Sequence, residues 1–163
     1  MVGMRWTVID SPIGALSVAS DGVGVSGVHF GAVEAPGPID VDAVLPAAVE
    51  ELRHYFAGTL TDFTVPLSVP RGSPFERAVW REMSLIPYGE TRTYGAMAAA
   101  VGDPTAARAV GVACNRNPIP VIVPCHRIVG AGGKLVGFGG GLPRKRHLLE
   151  LEAKVALARD WGA

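Results

Sequence analysis

The chain has 163 residues, 48% of them hydrophobic and 18% charged, with a mean hydropathy of +0.29 and a formal net charge of zero. That length suits one or two domains, since a single core usually organises roughly 100–200 residues, and the apolar content excludes a disordered or merely solvating protein. No apolar run approaches the roughly 18–20 residues that span a bilayer, Asp10 interrupts any N-terminal secretory core, and two cysteines are too few for a disulfide scaffold or a Cys-rich zinc site. The cytoplasm is the expected location, with no membrane partner.

Leu16 and Val18 alternate with Ser17 and Ala19, and Val23, Val25 and Val28 stand among glycines, so residues 5–30 read as a small meander with Gly-rich turns. The stretch 31–41 carries Pro36 and Pro38 and reads as a loop. Leu45, Val49, Leu52 and Phe56 recur at helical spacing, and Gly58 stands where a helix C-terminus is usually closed. This helix should lie on the sheet. Phe63, Val65 and Leu67 alternate with Thr64 and Pro66, which predicts one more strand, at an edge because of the proline.

Cutting the chain after Pro70 exposes a charge asymmetry. Residues 1–70 hold Arg5 and Arg53 against eight acidic side chains, a net of −6, and residues 71–163 carry the balancing +6. A basic half beside an acidic one suits a nucleic-acid binder whose phosphate-facing surface is confined to one region. We therefore divide the chain into an N-terminal domain, 1–70, and a C-terminal domain, 71–163.

The second half opens on Ser73-Pro74-Phe75-Glu76, a hydroxyl at N-cap, proline at the first helical position and glutamate at N3, which together form a capping box. Phe75, Val79, Met83 and Ile86 supply the apolar stripe of that helix. Thr93 caps a short helix 94–101. Gly102-Asp103-Pro104 stops it and caps another, beginning at Pro104 and running through TAARAVGVA, so the pair predicts a helix-turn-helix. The small residues Ala106, Ala107, Ala109 and Gly111 would let this second helix approach another surface closely. After Asn117-Pro118 comes the apolar run 119–123, then Pro124-Cys125-His126-Arg127, then a Gly-rich loop from Gly130 to Gly141. The last helix begins near Pro143 with Leu148, Leu151 and Val155 as its buried stripe. Arg144, Lys145 and Arg146 in its first turn oppose the helix dipole unless a phosphate lies nearby.

Cys114 reads as an inert buried thiol. Cys125 differs, because it lies between a proline and His126-Arg127, ionisable neighbours of a kind that lowers a thiol pKa. Adjacent side chains rarely hydrogen-bond directly, so His126 would reach the sulfur through a water, and a third group, for which Glu152 is a candidate, must orient the imidazole.

Pro124-Cys125-His126-Arg127 followed by Gly140-Gly141-Leu142 resembles the active-site signature of the O6-alkylguanine-DNA alkyltransferases. The likeness runs from Phe75 to Glu152, through Pro87-Tyr88-Gly89-Glu90-Thr91, Tyr94-Gly95, Ala106-Ala107-Arg108-Ala109-Val110-Gly111 and Asn117-Pro118, with a weaker echo in Asp10-Ser11-Pro12-Ile13-Gly14 and Tyr55-Phe56-Ala57-Gly58. It implies an α/β, ribonuclease-H-like N-terminal domain and a mainly α C-terminal domain with a winged helix-turn-helix. It also implies direct-reversal repair, in which the alkyl group of O6-alkylguanine, and of O4-alkylthymine, in double-stranded DNA passes irreversibly to the protein in a single turnover.

By motif position, the resemblance makes Cys125 the alkyl acceptor, His126 the base acting through water, Glu152 the carboxylate that orients it, Tyr94 the group approaching guanine N3 and Asn117 the brace of the active-site turn. Arg108 would enter the base stack while the damaged nucleotide rotates out, with Thr105, Ala106 and Ala109 beside it on the DNA. A plain phosphate contact is the competing job for Arg108. Ile128, Phe138 and Gly139 would line the base pocket, Phe138 standing where many relatives have tyrosine and Gly139 where some have serine. No cofactor or metal is implied, and the expected state is a monomer, with cooperative loading on DNA as an option. Two rival classes remain: a lesion-binding module without transfer, and a Cys-His-Glu hydrolase that would regenerate its thiol.

Overall fold

The computed structural model describes residues 4–32 and 44–162, and the chain divides into two compact units, Met1–Arg71 with Pro118–Pro120, and Gly72–Asn117 with Val121–Ala163. From residue 33 on, the loop expected at 31–41 lies outside the described residues.

In the first unit, β1 (Arg5–Ile9), β2 (Leu16–Ser20) and β3 (Val25–Phe30) form the expected antiparallel meander, with Thr7 opposite Val18 and Val18 opposite Val28. Asp21 shapes the β2–β3 turn by accepting the N–H groups of Val23 and Gly24 on Oδ1. The central strand β2 is wholly buried, Ser17 and Ser20 as well as Leu16 and Val18, so the alternation in its sequence separates two covered faces. Ser17 meets its burial by donating to the Gly31 carbonyl at 2.6 Å. Helix α1 (Val44–Phe56) packs on β2 and β3 through Leu45, Ala48, Val49, Leu52 and Tyr55. Tyr55, fully buried, closes the stripe in place of the predicted Phe56.

The strand predicted over Phe63–Leu67 is a correction: among the described residues one parallel bridge forms there, Val25 to Leu67. Pro66 has no N–H to give a ladder, and Glu51 on α1 captures the N–H groups of Thr64 and Val65 at 2.9 and 3.0 Å. What remains is Val25 N–H on the Pro66 carbonyl and Ser68 N–H on the Val25 carbonyl.

The second unit begins with α2 (Pro74–Ser84), whose capping box is present in full: Ser73 Oγ accepts from Glu76 N–H, and Glu76 Oε1 accepts from Ser73 N–H at 2.9 Å. Its buried face is Val79, Trp80 and Met83, continued by Ile86 beyond the helix end, and the Trp80 indole donates to the Ala113 carbonyl at 2.8 Å. Thr93 caps α3 (Tyr94–Ala100) as expected. Helix α4 (Ala107–Asn115) completes the helix-turn-helix, but it starts three residues later than predicted. Asp103 is the reason: its side chain is spent on Thr105 N–H and Oγ1, and its carbonyl accepts Ala106 N–H, so it shapes the turn and leaves α4 without a side-chain cap. Two short strands, β4 (Arg92–Thr93) and β5 (Ile128–Val129), pair in parallel.

The C-terminal helix α5 (Leu142–Gly162) departs most from expectation. Leu148 is buried as predicted, yet Leu151 and Val155 are only half-buried, and the residues that share the inner face with Leu148 are Lys145 and Glu152. At positions i, i+3 and i+7 these three lie on one side of a helix, so α5 carries a cation and an anion into the interior. Among the described residues no helix is long and apolar enough to cross a membrane.

Candidate active site

The site lies wholly within the second unit and is built on an abrupt turn. Val121 adopts φ 74°, a left-handed conformation that is strained for a β-branched side chain and costs on the order of 1–3 kcal/mol. The chain then bends so that the Val123 carbonyl accepts both Cys125 N–H at 2.9 Å and the Asn117 side-chain amide at 2.8 Å. A one-turn 3-10 helix, Cys125–Arg127, follows, with Arg127 N–H on the Pro124 carbonyl at 3.0 Å. Asn117 thus reaches the strained turn from the end of the helix-turn-helix, six residues back.

Behind that turn stands a buried ionic network. His126 is fully excluded from solvent and Glu152 nearly so. His126 Nε2 lies 2.7 Å from Glu152 Oε2, while Arg127 grips the same carboxylate from the other side, Nε to Oε1 at 2.8 Å and Nη2 to Oε2 at 3.0 Å. Arg127 Nη1 also donates to the Ile86 carbonyl at 2.7 Å, its guanidinium lies 5.5 Å from the Tyr88 ring centre, and Gly89 N–H donates to Glu152 Oε1.

Burial works to raise the Glu152 pKa, but hydrogen bonds and charge from His126 and Arg127 outweigh it and pull the carboxyl down to about 2. Arg127, always cationic, keeps Glu152 ionised even when the imidazole is neutral. Burial pushes the His126 pKa below its ordinary value, against the pull of Glu152. A neutral imidazole facing a carboxylate must donate from Nε2. The lone pair is therefore on Nδ1, which has no hydrogen-bond partner among the described residues.

The sequence reading of Cys125 needs correction here. Its charged neighbour Arg127 is engaged by Glu152, and burial dominates, pushing the thiol up to about 11; a hydrogen bond with Asn117 and the charge of Lys145 act in the opposite direction. Cys125 therefore rests as a protonated thiol. Cys114 is also buried, its Sγ 4.0 Å from the Met83 sulfur and its thiol pushed up to about 12 by burial.

Lys145 reads in the sequence as a first-turn cation of α5 that a nearby phosphate would favour. It is instead fully buried, Nζ donating to the carbonyls of Ile128 at 2.5 Å, Val136 at 3.2 Å and Gly137 at 3.3 Å. Arg144 folds back on the Gly140 carbonyl and is half-buried, so of the three basic residues Arg146 alone is exposed. Tyr94, at the first position of α3, donates its hydroxyl to the Val136 carbonyl at 3.1 Å, and burial pushes its pKa up to about 12. Sequence reasoning missed Lys145 and the pairing of Arg127 with Glu152. The cue for Lys145 was its spacing from Leu148 and Glu152.

The remaining predicted residues separate into two groups. Arg108, Ala109 and Thr105 are exposed on or just before α4, with Ala106 half-buried, and the exposed Val112 extends the same open side. Phe138 is half-buried and Gly139 exposed, whereas Ile128 is fully buried within β5. No group of three or more His, Cys, Asp or Glu side chains that could hold a metal occurs among the described residues.

Comparison with known proteins agrees in both halves. Residues 4–69 match the ribonuclease-like domain of 6-O-methylguanine DNA methyltransferase, and residues 74–154 match its DNA binding domain. A methylated-DNA–protein-cysteine methyltransferase of Mycobacterium tuberculosis is 46% identical over 165 residues, covering 95% of this chain and 96% of the relative. A protein of the same name from Methanosarcina acetivorans is also 46% identical, covering 91% and 98%. The crystal structure of Mycobacterium tuberculosis OGT in complex with DNA superposes with a TM-score of 0.84 at 46% identity, covering 93% of this chain and 94% of that one. Likeness of this extent, spanning both units, means that the chain belongs to the 6-O-methylguanine DNA methyltransferase family.

Proposed function

We propose that Cys125 is the alkyl acceptor of this direct-reversal DNA repair methyltransferase, served by His126 and Glu152 as base and orienting carboxylate. The observation that carries the reading is the 2.7 Å contact between His126 Nε2 and Glu152 Oε2, which leaves the imidazole lone pair on Nδ1, on the residue that follows a cysteine whose thiol does not ionise by itself. In the reaction His126 takes the thiol proton through a water, and sulfur attacks the carbon bound to guanine O6. The S–C bond forms as the C–O6 bond breaks, its electron pair passes into the purine, and Tyr94 supplies the proton at N3. The proton gathered on His126 makes up, through solvent, for the one Tyr94 has given. The thioether has no good leaving group, so each molecule acts once.

DNA is the partner. Arg108 on α4 fills the stack while the lesion swings out, a step that costs on the order of a few kcal/mol, and Phe138 offers an aromatic face to the extruded base. Phe138 has no hydroxyl, and Gly139 has no side-chain oxygen but leaves its backbone N–H available for O6. O4-alkylthymine falls within the same chemistry. In this reading the protein works as a monomer in the cytoplasm, and the shape of a DNA-binding isotherm reports any cooperativity. Intact-protein mass after incubation with an O6-methylguanine duplex tests the core of the proposal. One methyl, about 14 Da on this chemistry, should appear on Cys125 and none on Cys114; repeated turnover or a methyl elsewhere would refute it.

A further inference from the structure

We propose that Lys145 is a positioning residue of the transfer reaction: its buried ammonium holds the Val136 carbonyl when the Tyr94 hydroxyl leaves that carbonyl to donate to the departing purine. The inference rests on the reading of Tyr94 as proton donor and deepens it.

An ammonium buried without a carboxylate is unusual, because the cost of desolvating a charge is normally offset by an opposite one. Lys145 forms no ion pair among the described residues. Its three donors instead meet three carbonyls, that of Ile128 directly after the reactive turn and those of Val136 and Gly137 in the loop leading to Phe138. The side chain therefore links the turn bearing Cys125 to the loop proposed to form the wall of the base pocket.

The Val136 carbonyl has two callers. Tyr94 donates to it at 3.1 Å and Lys145 at 3.2 Å, which accounts for both lone pairs of a carbonyl oxygen. A phenol has one proton, so Tyr94 cannot serve Val136 and a purine nitrogen together. Turning to the purine would leave the carbonyl short of a donor if Tyr94 were its sole partner, and the wall loop would be free to follow the hydroxyl. With Lys145 in place the carbonyl stays held, and the loop stays where it was. The same ammonium lies 5.8 Å from the centre of the Tyr94 ring, where it favours negative charge developing on the phenol oxygen as the proton leaves. Gly137 is close by as well, since a Cβ built there would come within 3.9 Å of the Tyr94 hydroxyl.

A mere loop fastener and a partner of Tyr94 differ in one measurable respect, the coupling between the two residues. The experiment is single-turnover methyl transfer from an O6-methylguanine duplex by the wild type, Tyr94→Phe, Lys145→Met and the double variant, with thermal unfolding and binding to undamaged duplex as controls of fold. Tyr94→Phe should slow the wild type on the order of 100-fold, as loss of a general acid does. In the Lys145→Met background the same change should slow transfer only a few-fold, because the hydroxyl is already tied to Val136. Lys145→Gln, which keeps a donor for the carbonyl, serves as second background should the methionine variant not fold; there the effect of Tyr94→Phe should be largely restored. An equal loss from Tyr94→Phe in all backgrounds would overturn the proposal. Absence of methyl on Cys125 in the wild type would instead sink the underlying reading, and Tyr94→Phe without effect in the wild type would remove the proton-donor role, and with it the task assigned to Lys145.

Discussion

Glu152 accepts from a neutral imidazole on one side and from a permanent cation on the other, so it does more than anchor a helix. Glu152→Gln would offer an amide where the Nε2–H needs an acceptor of fixed orientation, and would leave Arg127 buried without its counter-charge. Transfer measured by single-turnover kinetics should fall by on the order of 100-fold to 10⁴-fold, the upper figure being that for loss of the tautomer-fixing carboxylate in a Ser-His-Asp relay. The network also sets an acid limit on stability. His126 has a folded pKa below its ordinary 6.5, so the unfolded chain takes up that proton first, and stability present above about pH 6.5 is lost as the pH falls. Glu152, held at about 2 against an ordinary 4.5, adds a second loss as the pH drops from 4.5 toward 2. Urea midpoints followed against pH should show both declines, and His126→Gln should remove the first and shrink the second to the part that Arg127 supports. Gly139 is a milder case: a Cβ there would meet nothing nearer than the Asn115 carbonyl at 4.0 Å, so Gly139→Ser should fold with its melting temperature essentially unchanged.

At the level of elements, α4 is tied to the rest of the second unit from beneath and left open above. The Trp80 indole donates to the Ala113 carbonyl near the end of α4, so Trp80→Phe should cost about 1 kcal/mol for the bond itself in a urea titration. The open side, with Arg108, Ala109 and Val112, carries the proposed flipping step. Arg108→Ala should slow repair in a well-paired duplex much more than in a single strand, where unstacking costs least, and should leave transfer from free O6-benzylguanine near the wild-type rate. Equal losses on duplex and single strand, with a salt slope reduced by about one, would identify Arg108 as a phosphate contact instead. The capping box, Thr93 at the head of α3 and the meander were all legible in the sequence, because each depends on residues within one or two turns of one another. The late start of α4 was not, because Asp103 had two plausible uses and the turn took it.

For the molecule as a whole, the division of charge into −6 and +6 implies that DNA affinity is strongly salt-dependent. Cys125→Ser should bind an O6-methylguanine duplex and transfer nothing, with the logarithm of its binding constant falling linearly in log[salt]; flat binding would count against a phosphate-facing C-terminal half. That asymmetry, the helix-turn-helix and the ordered motifs from Phe75 to Glu152 could be read along the chain, since composition and spacing are properties of the sequence itself. The α5 stripe could not, because a lysine and a glutamate score as surface residues until their partners are known. Those partners, the Ile128, Val136 and Gly137 carbonyls for Lys145 and His126 with Arg127 for Glu152, come together only in the folded unit. The ionisation of Cys125 was settled there too. Neighbours in sequence promised an acidic thiol, but a charge responds to what surrounds it in space: Arg127 is committed to Glu152, and burial of Cys125 outweighs the hydrogen bond of Asn117 and the charge of Lys145.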